Sequence, residues 1–217
     1  MPTPFETAVK KNNQHLVHDL LTGARPLPID IRNEASQTGL MISCAHNGVE
    51  TVKEILAKYQ ELENHIIDDT DTLGWTALHH AAKSGSLECI KLLLENKAEI
   101  DVTTDKNETP LFLATKHNHP DIVEFLTENN CQLQTKALHK KPDRHLTGEE
   151  FTALEFAVQH NFVEIAKCLL IHLIRTKAQN EKELKELMIE AAKEDHTKIA
   201  HELIINGANV NYHEGSI

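Results

Sequence analysis

The sequence predicts an all-α fold, a solenoid of about six helix-turn-helix repeats whose successive units are joined by β-turn fingers. Three observations support it. A short marker motif recurs along the 217 residues at nearly constant spacing. Apolar residues follow each marker at three- and four-residue spacing in two short blocks, which is typical of paired amphipathic helices. A residue that tolerates left-handed backbone recurs between the two blocks.

The clearest copy of the repeat spans Asp71–Thr103. Leu78 and Ala81 fall on one face of a first helix, and Ile90 and Leu93 fall on one face of a second helix. A single helix pair cannot bury both of its apolar faces, so it requires similar pairs beside it. This copy therefore predicts an array rather than an isolated motif.

The marker is a residue at the start of each first helix, and its spacing sets the repeats. It occurs at Thr3, Thr38, Thr76, Thr109 and Thr152, with a degenerate copy at Glu186. Successive markers are therefore 35, 38, 33, 43 and 34 residues apart. We expect one domain over residues 1–217, with repeats at approximately 3–34, 35–70, 71–103, 104–147, 148–180 and 181–214.

The turn between the two helices of each repeat provides an independent check. This turn needs a left-handed residue, for which Gly is best and Asn or Asp is next. The same offset from each marker gives a residue of that kind in all six copies, namely Asn12, Asn47, Gly85, Asn118, Asn161 and Asp195. Chance would seldom produce this agreement, so it supports six repeats.

The third copy also resembles a known family. Its segment Thr76–His79, followed by Ala81 and Ala82, is similar to the T-P-L-H-x-A core of an ankyrin repeat, whose period is about 33 residues. The resemblance extends over almost the whole chain. It implies an ankyrin-repeat scaffold that binds another protein.

Composition adds a narrower resemblance within that family. A chain rich in Lys, Asn, Ile and His, with degenerate repeats, is similar to ankyrin-repeat effectors that intracellular bacteria such as Legionella deliver into host cells. A eukaryotic cytosolic or nuclear ankyrin-repeat protein is the alternative. We expect a cytoplasmic location, or translocation into a host cell if the protein is an effector.

Departures from the period predict where loops grow. About five extra residues fall within 59–70, and about ten fall within 134–148, which carries several basic residues. Between the fifth and sixth copies, residues 171–188 read as two helices, with Asn180 and Glu183 forming a capping box and no finger. Residues 206–211 resemble a loop that leads to a further repeat, and none follows.

The net charge limits the kinds of partner that we expect, and the cysteines indicate the redox state of the compartment. The formal charge of −11 opposes contact with nucleic acid and with anionic membranes, so we expect neither as a partner. The sequence shows no signal peptide and no apolar run long enough to span a membrane. The four cysteines form no CxxC pair; Cys44, Cys89 and Cys131 are expected in the core, in a reducing compartment. We expect a monomer.

The spacing of the 15 histidines does not indicate a metal site, and the sequence contains no motif typical of an enzyme. We expect His79, His119 and His196 to brace loops through hydrogen bonds. His117 and His160 lie in neighbouring repeats, roughly 8–10 Å apart, too far to hold one zinc ion directly. No phosphate loop, GxSxG or HExxH motif occurs. We therefore expect no metal, no cofactor and no enzymatic activity; an enzyme would need a pocket with perturbed titratable groups.

The resemblance to ankyrin repeats implies a partner-binding face at the positions that vary among such repeats. These are the finger tips, the residue before each marker and the residues before each inter-helix turn. The predicted residues are His46, Thr72, Leu73, Trp75, Lys83, Ser84, Lys106, Glu108, Lys116, His117, Phe151 and His160. Lysine and histidine make this face more basic than the whole chain, which favours an acidic or polar peptide-like surface as partner.

Two points stay open from the sequence alone. Trp75, the only tryptophan, either covers its own finger or contacts the partner, since tryptophan is common at interface hot spots. The function is predicted as a protein–protein interaction module, and the alternative is a regulatory or inhibitory subunit that blocks an enzyme through the basic 134–148 insertion.

Overall fold

A computed structural model describes residues 3–11, 13–23, 30–61, 66–139, 149–175, 181–193 and 195–205. The helices in these ranges are α1 Pro4–Lys10, α2 Gln14–Thr22, α3 Gly39–Ala45, α4 Val49–Glu61, α5 Ala77–Ser84, α6 Leu87–Glu95, α7 Pro110–Lys116, α8 Pro120–Glu128, α9 Ala153–Gln159, α10 Val163–Arg175, α11 Glu181–Lys193 and α12 Thr197–Ile205. A short 3₁₀ helix covers Ile66–Asp68.

The helices pair in sequence and the pairs stack, which confirms the predicted all-α solenoid. Each odd-numbered helix packs on its own partner and on the next odd-numbered helix, so α1, α3, α5, α7, α9 and α11 form one row. The even-numbered helices form the second row. We call the surface made by the finger tips and the outer side of the first row the concave face. The outer side of the second row is the convex face.

The core lies between the two rows and is built from aliphatic side chains. Leu78 and Leu111 of the first row and Ile90, Ile122 and Ile165 of the second row are at most 2% exposed. Because each helix meets both its partner and its neighbours, burial is continuous along the array. This is how repeats that are individually too small to fold stabilise one another.

The inter-helix turns adopt the left-handed conformation that the sequence predicted. Five of the six turn residues have a positive φ: Asn47 (54°), Gly85 (77°), Asn118 (56°), Asn161 (57°) and Asp195 (56°). The sixth, Asn12, lies outside the described residues. The agreement confirms the alignment of the repeats at these five turns.

The marker residue is an N-cap, which explains why threonine recurs there. The Oγ1 of Thr109 accepts the backbone N–H of Phe112 at 3.1 Å, and Thr152 makes the same bond to Glu155 at 3.2 Å. At Thr76 the side chain of His79 takes part in the cap, because its Nδ1 accepts the Thr76 N–H at 3.1 Å. The histidine of the marker motif thus satisfies a donor at the start of its own helix.

The stretch between the fifth and sixth pairs contains the two predicted helices. Helix α10 continues to Arg175 and α11 begins at Glu181. The start of α11 lies five residues before the degenerate marker at Glu186, so that marker does not begin a helix. The predicted N-cap Asn180 and the predicted terminal loop 206–211 lie outside the described residues.

The longest insertion adds a structure that the all-α prediction did not include. Strands β1 (Ala137–His139) and β2 (Glu149–Phe151) pair antiparallel, with Ala137 opposite Phe151 and Leu138 opposite Glu150. The basic residues Lys140, Lys141 and Arg144 lie between the strands and outside the described residues. The insertion is therefore carried on a two-stranded stem.

Candidate functional site

Three fingers on the concave face share one backbone design. Each begins with a residue whose side-chain oxygen accepts the backbone N–H groups two and four residues further on. In the third repeat Asp71 Oδ1 accepts from Leu73 at 2.9 Å and from Trp75 at 3.1 Å. Asn33 and Thr104 do the same in the fingers before and after it. These side chains accept hydrogen bonds from backbone N–H groups that a tight turn would otherwise leave without an acceptor.

Neighbouring fingers are joined by backbone hydrogen bonds, which we call the finger ladder. The N–H of Thr72 donates to the carbonyl oxygen of Ala35 at 3.1 Å, and the N–H of Asp105 donates to the carbonyl oxygen of Leu73 at 3.3 Å. In the next bond the N–H of Leu138 in β1 donates to the carbonyl oxygen of Lys106 at 3.0 Å. The ladder therefore continues from the fingers into the strand stem and fixes the spacing of the tips.

Trp75 lies against the first helix of its own repeat. Its ring centroid is 5.3 Å from that of His80 and 6.2 Å from that of His79, and Lys83 Nζ lies 5.1 Å from the centre of the ring. The residue is neither buried nor fully exposed. Trp75 thus packs on helix α5, and Lys83 forms a cation–π contact with its ring.

A buried polar pair lies beneath the indole. His80 Nε2 donates to Asp71 Oδ2 at 3.0 Å, and both side chains are largely shielded from solvent. Burial lowers the pKa of His80, opposed by the Asp71 carboxylate. Burial raises the pKa of Asp71, but the N–H donors of Leu73 and Trp75 together with His80 outweigh it and lower that pKa. The pair fixes the finger against the helix.

The three histidines predicted to brace loops do so. His79 Nε2 donates to the carbonyl oxygen of Glu108 in the next finger at 3.1 Å. His119 Nε2 donates to the backbone carbonyl oxygen of Lys83 at 3.1 Å, and His196 Nδ1 donates to that of Val158 at 2.9 Å. Both bonds reach back to the preceding repeat. Burial lowers the pKa of His79 to about 4, so its imidazole is neutral at physiological pH.

Cationic side chains from α5 and α7 come together on the concave face. His117 is exposed, and its pKa is lowered by partial burial and then by the charges of Lys83, Lys116 and His119. Lys116 Nζ also donates to the Oε1 of Glu108 at 2.7 Å. This cluster (Lys83, Lys116 and His117) carries two lysine charges, and Glu108 offsets that of Lys116.

The predicted face residues divide into three groups. Eight are exposed, namely His46, Thr72, Leu73, Lys83, Ser84, Lys106, His117 and His160. Trp75 and Lys116 are half-buried. Ser84 is exposed as a residue, but its hydroxyl lies 2.9 Å from the carbonyl oxygen of Cys44 in the preceding repeat and is engaged in joining repeats.

Glu108 and Phe151 are buried rather than presented to solvent. Glu108 is 2% exposed and holds the ammonium group of Lys116. Phe151 is 8% exposed and belongs to an apolar cluster with Phe112, Phe156 and Ala137 at the base of the strand stem. Pairing between Phe151 and Ala137 turns the phenylalanine towards α7 and α9, which the sequence did not reveal because the strand itself was not predicted.

Sequence reasoning also missed the Asp71–His80 pair that supports Trp75. A signal was present, because an acid at the start of the finger and a second histidine after His79 are both readable. In the described residues no group of three His, Cys, Asp or Glu side chains is placed to hold a metal ion. Cys44, Cys89 and Cys131 are buried, as predicted.

The fold and the face define a class, a helical repeat array with projecting, hydrogen-bonded fingers. The profile for ankyrin repeats (three copies) matches residues 5–104 and 60–137. That is more than half of the chain. The protein belongs to the ankyrin-repeat family, whose members are protein–protein interaction modules.

Relatives cover parts of the chain. Ankyrin repeat domain-containing protein 37 of Homo sapiens is 40% identical over 79 residues, which is 36% of this chain and 49% of that protein. Protein phosphatase 1 regulatory subunit 27 of Mus musculus is 40% identical over 60 residues, covering 28% and 39% respectively. The tyrosine-protein kinase HTK16 of Hydra vulgaris is 30% identical over 114 residues, covering 50% and 14%. The chain thus spans half or less of the length of each.

None of the described helices combines the length and the apolar character that crossing a bilayer requires.

Proposed function

We propose that this chain is a binding module without catalytic activity, acting as a monomer of one domain, which grips an acidic or polar segment of a partner protein on its concave face. Trp75, Lys83, Lys116 and His117 form the centre of the proposed contact. The exposed tips carrying Leu73, Thr72 and Lys106 and the flanking His46 and His160 extend it.

The cluster of Lys83, Lys116 and His117 is the observation that carries this proposal. Lys83 and Lys116 lie on successive first helices, and the pKa of His117 is lowered first by partial burial and then by the charges of both lysines. A carboxylate of a partner would be attracted to the Lys83 ammonium group and could accept a hydrogen bond from the exposed His117 beside it. The overall charge of −11 makes such a basic patch a local exception, which favours an acidic ligand at this place.

Apolar contact is available beside the cluster. Leu73 is 61% exposed at a finger tip, although the finger ladder holds its backbone in place. A large apolar side chain on a fixed backbone loses little conformational freedom when it is buried by a partner. Trp75, half-exposed and fixed by His80 and Lys83, provides an aromatic surface next to it.

A photo-crosslinking experiment tests the face while the partner is still unidentified. Benzoylphenylalanine is placed at Leu73 or Lys106 on the concave face, or at Glu88, whose side chain is 62% exposed on the convex face. We expect adducts from a cell extract at positions 73 and 106 and none of the same mass at 88. Equal labelling at all three positions would contradict the proposal.

Affinity measurements on the captured partner then test the named residues. The double variant Trp75→Ala/Lys83→Glu is expected to weaken binding at least tenfold, because it removes the aromatic surface and reverses one charge of the cluster. Lys91→Glu on α6 makes the same charge change on the convex face and should leave the affinity within twofold. An unchanged affinity of the double variant would refute this face.

A second candidate function is regulation of an enzyme through the basic 134–148 insertion. Two findings favour it: the stem projects from the end of the finger ladder, and one relative is named a protein phosphatase 1 regulatory subunit. Replacing residues 140–148 with a short Gly-Ser linker keeps the stem and Lys136 and removes Lys140, Lys141 and Arg144. This candidate predicts that binding is lost, whereas the concave-face proposal predicts that binding is retained.

Two cellular settings are consistent with such a module: the cytoplasm of the cell that makes it, and a host cell into which a bacterial effector is delivered. Composition alone supports the second. Infection of host cells with bacteria carrying a tagged copy separates the two. Signal in the host cytosol supports delivery, and its absence from the host cytosol counts against it.

A further inference from the structure

A groove lies on the convex face between α8 and α10, away from the fingers. Its volume is about 490 Å³. From α8 it is lined by Asp121, Glu124, Thr127 and Glu128, and from α10 by Cys168 and Ile171 among others. This volume is in the range of sites that bind a ligand through several side chains.

One residue that lines the groove, Cys168, has a smaller side chain than its counterparts in the two preceding repeats. Leu92, Phe125 and Cys168 each lie seven residues after the inter-helix turn residue of their own repeat. All three pack partly buried against the core. In the preceding repeat Phe125 fills this position, and Lys91 Nζ of the neighbouring helix lies 6.0 Å from the centre of its ring. At Cys168 a thiol stands at the position that Phe125 fills in the preceding repeat, and the groove lies beside it.

The floor of the groove is weakly polar and its rim is acidic. Thr127 is 2% exposed, and its Oγ1 lies 3.8 Å from Cys168 Sγ; beside them is the side chain of Ile171. Exposed acidic residues line the rim, namely Asp121, Glu124, Glu128 and Glu164. Lys167 also lines the groove, and its ammonium group is 3.9 Å from Glu202. The described rim therefore has a net negative charge.

We propose that this groove binds a basic amphipathic segment of a second protein. One apolar side chain of the segment occupies the space above Cys168 and Ile171, and flanking Lys or Arg residues pair with the rim. A cleft between two helices whose floor offers Cys168 and Ile171 suits a helix or short peptide that presents a single apolar anchor. Among the described lining residues, four acids against one lysine select a cationic partner and repel phosphate groups and anionic lipids.

This surface is separate from the concave face and selects the opposite charge. The concave cluster attracts acidic groups, whereas the groove attracts basic groups, so two different partners, or two segments of one partner, can bind at once. The pairing is electrostatic and exposed, so the affinity of the groove should fall as ionic strength rises.

Selection from a phage-displayed library of random 12-residue peptides, panned against the full chain, tests the groove. We expect enriched peptides to share one large apolar residue flanked by Lys or Arg. A consensus without basic residues, or enrichment that persists unchanged on the Cys168→Phe variant, would overturn the proposal.

Fluorescence anisotropy with the most enriched peptide then gives the effect of each variant. Cys168→Phe, which restores the ring present at Phe125, should weaken binding at least tenfold. Glu124→Lys/Glu128→Lys changes only exposed rim residues and should do the same. Cys168→Ser, which keeps the volume, should stay within twofold, as should Trp75→Ala/Lys83→Glu on the concave face. Loss of binding in this last variant would overturn the assignment to the groove.

Sedimentation velocity addresses a second copy of the chain as an alternative occupant. We expect the sedimentation coefficient to be independent of protein concentration. Concentration-dependent association that disappears in Cys168→Phe would assign the groove to self-association and overturn a separate peptide partner.

Discussion

Left-handed asparagines are the residues that most directly shape this molecule. Asn47, Asn118 and Asn161 occupy the same turn, with φ between 54° and 57°. An L-residue with a Cβ is strained in this region, and asparagine tolerates it better than most. Gly85, at the same position, lets the chain pass close to His119, whose Cε1 would be 2.8 Å from an added Cβ.

Substitutions at Asn118 test the cost of this conformation. We expect Asn118→Ala to lower the free energy of unfolding by about 1 kcal/mol, because alanine is strained at positive φ. Asn118→Gly, which has no Cβ, should be neutral or stabilising. Urea unfolding followed by circular dichroism measures both, and equal effects of the two variants would contradict the explanation.

His79 makes stability depend on pH. Its pKa is about 4 in the folded protein and near 6.5 when exposed, so only the unfolded chain binds a proton between these values. The depressed pKa stabilises the fold above pH 6.5, and this contribution is lost as the pH falls from 6.5 to 4. We expect the free energy of unfolding to fall by about 2 kcal/mol from pH 7 to pH 5 on this account.

The matched variant isolates that contribution from those of other histidines. His79→Gln removes the titration, so the difference in unfolding free energy between wild type and variant should shrink by a similar amount, about 2 kcal/mol, from pH 7 to pH 5. A difference that stays constant over this range would show that His79 is not the group responsible.

The local roles of individual residues were the features that the sequence predicted best. The turn asparagines, the capping threonines and the bracing histidines follow from backbone geometry, which a sequence encodes locally. Phe151 and Glu108 were less predictable, because their burial depends on what packs against them from other repeats. Trp75 remained open for the same reason: its contacts with His80 and Lys83 cross from the finger to the helix.

At the scale of elements, the strand stem is the principal addition to the prediction. Three-residue strands are too short to show the alternation that indicates a strand, and they are separated by residues 140–148, so sequence alone suggested only a long loop. The stem is stabilised from below by Phe112 and Phe156, whose ring centroids are 5.3 Å apart at a near-perpendicular angle.

Two alanine variants test how the stem is anchored. Phe151→Ala should destabilise the protein by about 3 kcal/mol, since it leaves a cavity beside Phe112 and Phe156. Leu138 is 44% exposed in the other strand, so Leu138→Ala should change stability by less than about 0.5 kcal/mol. Thermal unfolding compares them, and similar losses would show that the phenylalanine cluster does not anchor the stem.

At the scale of the whole molecule, stability should vary along the array. Each repeat contacts only its neighbours, so α5–α8 are supported on both sides whereas α1 and α2 are supported on one. We expect backbone amides of α5–α8 to exchange with deuterium at least tenfold more slowly than those of α1 and α2. Peptide-resolved mass spectrometry measures this, and uniform exchange would indicate that the array unfolds as one unit.

The array was predictable because its period repeats the same information in each unit. The features that distinguish one repeat from the next were not predictable, because the groove beside Cys168 forms between two helices, α8 and α10, that are distant in sequence. Among the relatives, identity of 40% covers about a third of the chain or less, so the scaffold is shared over short stretches. Specificity has to be read from the individual repeats.

The continuation of the finger ladder into β1 has a consequence for how this protein can change. The stem is closed at its base by the phenylalanine cluster and tied to Lys106 by a backbone hydrogen bond. The strands that flank residues 140–148 are therefore held on a fixed framework. New recognition sequences could be grafted there, or acquired in evolution, at little cost to the rest of the array.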